Sequence, residues 1–436
     1  MTLSRLRHHI LMNPGKSEVG HLPEDTQVSF VPMESIKDGS GGLDLQQQKP
    51  LSEVGGSYTY FADGDVVVAK VTPCFENGKK ALASGLVNGI AFGSSELHVL
   101  RPRPTLLPRY LVYLVGSASF RDQCISSMTG AGGLRRVSDE AIKNFRIRCV
   151  STQEQDAIVG FLDEHVGAID KAIERNQRLI KAIQEERNVM IARAVTHGLD
   201  PNVTMKDSGV AWFGLMPAHW RVTKIKHISE RVVDCLHTTP NYDGQVKYPA
   251  IRTADVEPGK ILIEQARLVS EEVYFERTSR LRPMAGDILY SREGERFGIA
   301  ALVPDGVELC LGQRMMMFRI KQNVYSKYVM WLLNSPPIYQ QVIEKNAGST
   351  SPHINIEEVI NFEIALPGIE EQKNIANYVE VNYGISGKII RKCKEMTRVL
   401  QEYSSTLITA AVTGQIDVTS RTAHRTVVAE LERLGA

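Results

Sequence analysis

Two long segments of this chain repeat each other in one register. Residues 129–145 (TGAGGLRRVSDEAIKNF) align with 346–362 (NAGSTSPHINIEEVINF), placing Asn144-Phe145 on Asn361-Phe362 at a displacement of 217. The same displacement carries Glu154-Gln155 onto Glu371-Gln372, Gln184-Glu185 onto Gln401-Glu402, Ala194-Val195-Thr196 onto Ala411-Val412-Thr413, and Asp200 onto Asp417. Upstream, FADGDVVVAKV at 61–71 resembles MAGDILYSREG at 284–294, with Gly64-Asp65 on Gly286-Asp287 at a displacement of 222, a five-residue loop difference. Solenoid units run to about 20–50 residues, so a period above 200 marks a duplicated module. Two similar modules in one chain predict an internal pseudo-twofold. Such symmetry suits two-part targets, as dimeric proteins on split DNA sites illustrate; the plain alternative is a duplication that only enlarged a scaffold.

Within each module short apolar runs alternate with turn residues. VSFVPM, DVVVAKV, GIAF and ELHVL predict strands in the first, with a helix over 106–119; YPAIR, GKILI, GDILYS, FGIAALV and MMMFRI predict strands in the second, with a helix over 326–335. The expected fold class is therefore α+β. Each body is followed by a long helical pattern. In the first, Val166, Ile169, Ile173, Asn176, Ile180, Ile183, Arg187, Met190 and Ala194 recur at three- and four-residue steps. In the second, Ile375, Val379, Ile389, Met396, Leu400, Tyr403, Leu407 and Ala410 form the stripe. Forty helical residues span about 60 Å. A lone exposed helix of that length is unstable, so the two are expected to pack on each other, with Asn176, Arg187 and Cys393 at or near the seam. Between them, 197–228 is rich in glycine and proline, and Trp212, Phe213 and Trp220 predict that it docks; it has no evident counterpart ahead of the first copy.

Composition excludes several classes. Hydrophobic residues at 43% and charged residues at 23% argue against disorder. Lys+Arg 51 against Asp+Glu 50 removes any strongly basic shell, so a nucleic-acid surface must come from local charge placement. The 6 cysteines form no close pair, which excludes a CxxC redox site or zinc knuckle and favours a reducing compartment. No apolar run approaches the ~20 residues of a membrane span, and the expectation is a cytoplasmic protein. Neither glycine cluster, 39–42 or 130–133, is followed by the Lys-Ser or Lys-Thr of a P-loop. HExxH and GxSxG are absent, and Asn334 to Tyr339 resembles a methyltransferase motif only superficially. Asp63 and Asp65 fit turn chemistry. No catalytic residue and no metal ligand is assigned.

Groups suited to DNA stand at matched places. Lys70 aligns with Arg292, each just after a strand; Lys79 and Lys80 follow the Asn77-Gly78 turn, and Arg296 follows the loop after Glu293-Gly294. Arg135 and Arg136 align with Pro352 and His353 in a Gly/Ser-rich loop common to both copies. Basic side chains reach guanine edges, and Ser349, Thr350 and Ser351 offer hydroxyls and N–H groups to phosphate. The competing account is ordinary solvated loop charge.

These motifs, in this order, resemble the specificity subunit of type I restriction-modification enzymes over almost the whole chain. GDILYSREGERFGIAAL at 286–302, NAGSTSPHINIEEVINFEIALPGIEEQKNIANYV at 346–379, GLMPAHWRVTKIKHI at 214–228 and LITAAVTGQIDV at 407–418 carry the likeness. The resemblance implies two similar globular target recognition domains, 1–150 and 229–367, separated by spacer helices at 151–197 and 368–413 packed as an antiparallel coiled coil. A linker at 198–228 and a tail at 414–436 complete the division. It implies a non-catalytic chain that binds double-stranded DNA, two methyltransferase subunits and restriction/translocase subunits. This chain would hold no cofactor; S-adenosylmethionine, ATP and Mg would belong to its partners. Its recognition loop maps to Gly348, Ser349, Thr350, Ser351, Pro352 and His353, and the first copy departs from it with Gly130 to Arg136. The first copy also lacks the Leu366-Pro367 pair, having Cys149-Val150 there. Three alternatives stay open: a specificity subunit of a restriction-methylation enzyme outside type I, a protein-interaction scaffold, and a nuclease with an inconspicuous site.

Overall fold

The apolar runs of each copy pair into two small sheets of related order. A computed structural model describes residues 3–37, 42–131, 133–243, 245–293, 296–345 and 354–435. The chain divides into one unit of Met1–Leu179 with Lys392–Ala436 and a second of Ile180–Arg391.

In the first unit Val66–Ala69 lies between Leu97–Pro102 and Lys80–Leu82, with Ile10–Met12 outside, all antiparallel. A second sheet pairs Gln27–Val31 parallel with Ile90–Gly93, flanked by Gln48–Pro50 and Thr59–Ala62. In the second unit Ile288–Ser291 lies between Met315–Ile320 and Ala300–Leu302, with Ser229–Asp234 outside. There Val246–Ile251 runs parallel to Cys310–Leu311 and antiparallel to Arg267–Ser270. Gly93 ends Ile90–Gly93, and Gly312 directly follows Cys310–Leu311. A Cβ on either would sit 2.7 Å from a carbonyl oxygen, of Val31 or of Ile251, closer than any side chain tolerates.

The two bodies also open alike, which the sequence pattern had hidden. Leu3–Arg5 pairs with Arg146–Arg148, and Arg221–Lys224 pairs with Glu363–Leu366. Buried Leu6 and Ile225 then each begin one short turn of helix, their N–H groups donating to Phe145 O (2.8 Å) and Phe362 O (3.1 Å). The end of the 197–228 segment therefore does have a counterpart, in residues 3–8. Sequence identity is low there because strand and turn need only one buried apolar anchor. The segment's aromatics dock: Phe213 and Trp220 are buried, and the Trp220 indole N–H donates to Glu371 at 2.9 Å.

Matched polar pairs brace each body. Asp65 takes the Arg101 guanidinium through Nε (2.6 Å) and Nη2 (2.8 Å), and Asp287 takes Arg319 in the same way (2.9 and 2.7 Å). Each carboxylate also accepts a turn N–H, from Ala62 and Met284. Both aspartates are buried, where a bidentate guanidinium is the fitting partner. The repeated Glu-Gln pair has an equally concrete reason. Buried Gln155 accepts from Leu107 N–H (2.8 Å) and donates to Thr105 and Val150 carbonyls, tying the long helix to the start of Pro108–Gly116. Gln372 accepts from Tyr325 N–H (2.8 Å) and donates to Pro367 O (2.9 Å) before Ser326–Leu333.

The long patterns are continuous helices, Thr152–His197 and Ile369–Thr413. Each unit takes the N-terminal part of one and the C-terminal part of the other, so segments sharing a core run antiparallel. In the first unit Leu162, Val166 and Ile169 share a buried core with Leu400, Leu407 and Ile408, and Ile173 and Met396 pack at its margin. In the second, Ile191 and Val195 share a core with Ile375 and Val379, with Met190 at the margin. There Arg187 donates to Ser386 Oγ at 3.0 Å and lies 4.0 Å over the Tyr383 ring. Ile180 and Ile183 are half-buried, as a two-helix seam without further cover allows. One expected seam residue is misplaced: Ile389 is 42% exposed and Ile390 faces inward. Polar Tyr383 and Ser386 occupy the preceding seam positions, so counting apolar residues alone slipped the stripe by one. The tail carries a helix, Arg421–Arg433, whose Val427 and Leu431 join the first unit's core.

Candidate nucleic-acid interface

In the first unit the Gly-rich loop is a hairpin, Thr129–Ala131 against Leu134–Arg136. Gly130 has φ +146, and a Cβ there would lie 2.3 Å from Leu134 O, so only glycine closes this turn. The hairpin docks on the chain just past Val66–Ala69. Thr72 N–H donates to Arg135 O (3.0 Å), Arg135 N–H to Thr72 Oγ1 (3.0 Å), and Thr72 Oγ1 to Gly133 O (2.9 Å).

This seating brings three expected residues to one edge. Lys70 is half-buried at the strand end, and Arg135 and Arg136 are exposed beside it. Arg135 pairs with Glu76 at 3.1 Å. Arg136 forks onto Glu96 through Nε (3.0 Å) and Nη2 (2.8 Å), which holds the Glu96 carboxyl below its usual range. Exposed pairs of this kind contribute little to stability, roughly 0–1 kcal/mol. A phosphate or base can therefore compete for either guanidinium at small cost.

Lys79 and Lys80 are not presented there. Lys79 Nζ donates to the carbonyls of Met33 (3.1 Å) and Ile36 (2.8 Å). Lys80 is buried with its stem against Gly116; burial, with Arg121 nearby, pushes its ammonium down to about 8. Lysine after a turn looked like surface charge, but the strand Lys80–Leu82 is covered on both faces where it begins, with Lys80 and Ala81 both buried.

The second unit repeats the backbone frame with other side chains. Val137 N–H donates to Lys70 O (2.9 Å), and Ile354 N–H to Arg292 O (3.3 Å). Lys70 N–H donates to Glu96 O (3.0 Å), and Arg292 N–H to Arg314 O (3.1 Å). Arg292 itself is only 3% exposed. Its Nε and Nη2 meet Asp234 at 3.1 and 3.3 Å, and Nη1 reaches Glu293 (3.0 Å) and Ile354 O (3.3 Å). As placed, it locks the body and offers no free charge. Among the described residues, Arg314 is an exposed cation of this edge, held at φ +66, a backbone region rare for arginine. With His237, Glu293 and Gln313 it lines a cleft of about 200 Å³. Arg296 donates to Ala254 O at 3.1 Å, away from that cleft's lining. Ser349, Thr350, Ser351 and His353 lie outside the described residues.

Sequence comparison missed Glu96, His237, Gln313 and Arg314 because only like residues were matched between copies. Glu96 and Arg314 occupy one register with opposite charge. The usable signal was positional, the residue or two ahead of the strands Leu97–Pro102 and Met315–Ile320.

Residues 219–390 match the family described as Type I restriction modification DNA specificity domain. The chain is 34% identical over 170 residues to the type I restriction enzyme EcoEI specificity subunit of Escherichia coli, across 39% of this chain and 29% of that protein. It thus spans less than a third of that relative's length. It is 24% identical over 316 residues to the MjaVIII specificity subunit of Methanocaldococcus jannaschii, 70% of each chain. A chain from a solved type I R-M system, described for its complex assembly and conformational transition, has the same fold with a TM-score of 0.67 at 16% identity, covering 95% of this chain and 98% of that one. The family match over residues 219–390 and these likenesses make the chain similar to type I restriction-modification specificity subunits, in its second body by sequence and over nearly its whole length by fold.

Proposed function

We propose that this chain is the non-catalytic DNA-recognition subunit of a type I restriction-modification complex, reading a bipartite double-stranded target. The observation that carries the reading is the pair of corresponding edges. One backbone frame is used twice, and different polar side chains stand on it: Lys70, Arg135 and Arg136 in the first body, Arg314, Gln313 and His237 in the second. Phosphate contacts position such a protein and base contacts specify, so unlike edges on like frames suit two unlike half-sites. The bodies within 1–150 and 229–367 would act as the target recognition domains. Ser349, Thr350, Ser351 and His353 belong to the second body's candidate contacts.

The long helices, 151–197 and 368–413, set the gap between half-sites. Two methyltransferase subunits and the restriction/translocase subunits assemble on this chain in the cytoplasm and bring S-adenosylmethionine, ATP and Mg with them. Overall charge is close to balanced, so the partner subunits share the grip on phosphate, whose neutralisation drives salt-dependent affinity.

Adenine-methylation mapping in cells carrying the whole system tests this. The expected result is a two-part motif with a fixed gap. Four residues inserted in register into both long helices add about 6 Å, so the permitted gap should lengthen by about two base pairs at ~3.4 Å each. A contiguous motif, or an unchanged gap, would overturn the proposal.

A further inference from the structure

The first unit holds a cluster that DNA recognition does not use. His165 is buried on the long helix Thr152–His197, and His424 reaches it from the C-terminal helix Arg421–Arg433. Their ring nitrogens face each other, His165 Nε2 to His424 Nδ1, at 3.1 Å. The Glu164 carboxylate lies 3.7 Å from that same His424 nitrogen. One ligand atom from each of the three falls within 4.8 Å of the others.

We propose that Glu164, His165 and His424 form a binding site for a borderline divalent metal of the Zn²⁺ class, which clamps the C-terminal helix to the long helix. Two imidazoles and a carboxylate are a donor set that suits zinc, with a fourth position left to water. Ligands about 2.0–2.1 Å from a tetrahedral ion stand roughly 3.3–3.4 Å from one another, close to the nitrogen separation here. Two neutral imidazoles can satisfy such a contact as a hydrogen bond only with one nitrogen protonated and the other bare. A cation between them needs both bare and takes in the carboxylate as well.

The rings are already oriented. Phe161 meets both edge-on, with centroids 4.5 Å from His165 and 4.9 Å from His424. Val427 and Leu431 seat the C-terminal helix in the same core as Phe161. Held rotamers reduce what binding must order, and shells of this kind raise metal affinity. Glu164 and His165 are neighbours, but His424 lies far from them in sequence and no HExxH-type motif adjoins them, so spacing could not have exposed the trio.

The test is calorimetric titration of Zn²⁺ into the full chain, beside the visible spectrum with Co²⁺. The expected result is one tight site per chain, tetrahedral Co²⁺ bands, and a zinc-dependent rise in melting temperature. His424→Gln should weaken zinc binding at least tenfold and abolish the rise, while His21→Gln, at an exposed histidine outside the cluster, should leave both unchanged. Circular dichroism of His424→Gln without metal must match wild type, and Glu164→Gln provides a second variant at an exposed position. No saturable site on the folded chain, or equal binding by wild type and both cluster variants, would overturn the proposal and leave a hydrogen-bonded histidine pair.

Discussion

Arg292→Ala separates two roles that the sequence merges, reading DNA and holding the second body together. The side chain is 3% exposed and spans Asp234, Glu293 and the Ile354 carbonyl. Removing one partner of a buried ion pair costs about 3–5 kcal/mol, because the other charge is left unpaired. Here Asp234 keeps His237 at 3.0 Å, with that imidazole well exposed, so the lower end of the range, ~3 kcal/mol, is the expected loss. For a body of 150–250 residues each kcal/mol moves the melting temperature by about 2–4 °C, which gives a drop of roughly 6–12 °C. Differential scanning calorimetry of wild type, Arg292→Ala, Asp234→Ala and the double variant measures it. The double variant should lose clearly less than the sum of the singles, as coupled residues do. DNA affinity, measured at one salt concentration with the methyltransferase partner present, should fall for cognate and random duplex alike. If Arg292→Ala melts within a degree of wild type yet loses cognate binding selectively, the guanidinium leaves Asp234 for a base and the lock is wrong.

Three further outcomes follow from placement. Leu400→Ala, in the first unit's helix seam, should cost about 2–4 kcal/mol, whereas exposed Ile389→Ala should stay within about 0.5 kcal/mol; equal losses by urea unfolding would contradict the observed seam. Gly130→Ala should open the 129–136 hairpin and reduce DNA binding with little change in melting temperature, and an unchanged affinity would remove that hairpin from the interface. Lys80 has its folded pKa lowered from 10.5 to about 8. The unfolded chain therefore binds more protons between those values, so its burial penalty is full below pH 8 and fades as pH rises towards 10.5. Lys80→Met should raise the melting temperature at pH 7, and its advantage over wild type should shrink by pH 10; a pH-independent gap would contradict the burial.

Long-range pattern was legible and local direction was not. Both helices were readable because more than forty residues kept one period, and the Glu154-Gln155 and Glu371-Gln372 pairs marked their starts. Only the structure supplies the reason, an amide that satisfies backbone groups at the joint. The order of the strands was hidden, since the parallel pairing of Gln27–Val31 with Ile90–Gly93 joins segments far apart in sequence. Among the candidate contacts, Arg135 and Arg136 stand where a loop charge is expected. Lys80 and Arg292 carry the same charge but lie inside, because a strand covered on both faces takes the one and the Asp234 carboxylate takes the other. Ile389 failed for a related reason: polar residues hold seam positions that hydrophobic counting skips.

The repeat itself explains which residues are free to differ. Positions that close the fold recur in kind: Asp65 and Asp287 with their arginines, Gln155 and Gln372, Gly93 and Gly312, and the N–H of Val137 or Ile354 on the residue after the central strand. The polar ones satisfy buried groups whose loss costs about 1–3 kcal/mol or more, and the glycines leave room that a Cβ would fill, so duplication could not relax them. The edge beside that last hydrogen bond carries no such duty. Glu96 pairs with Arg136 on the surface of one body, and Arg314 takes the equivalent place on the other with the opposite charge. A body can thus exchange its edge residues without touching the bonds that hold it. That separation is what a chain needs if its two halves are to read different sequences on one scaffold.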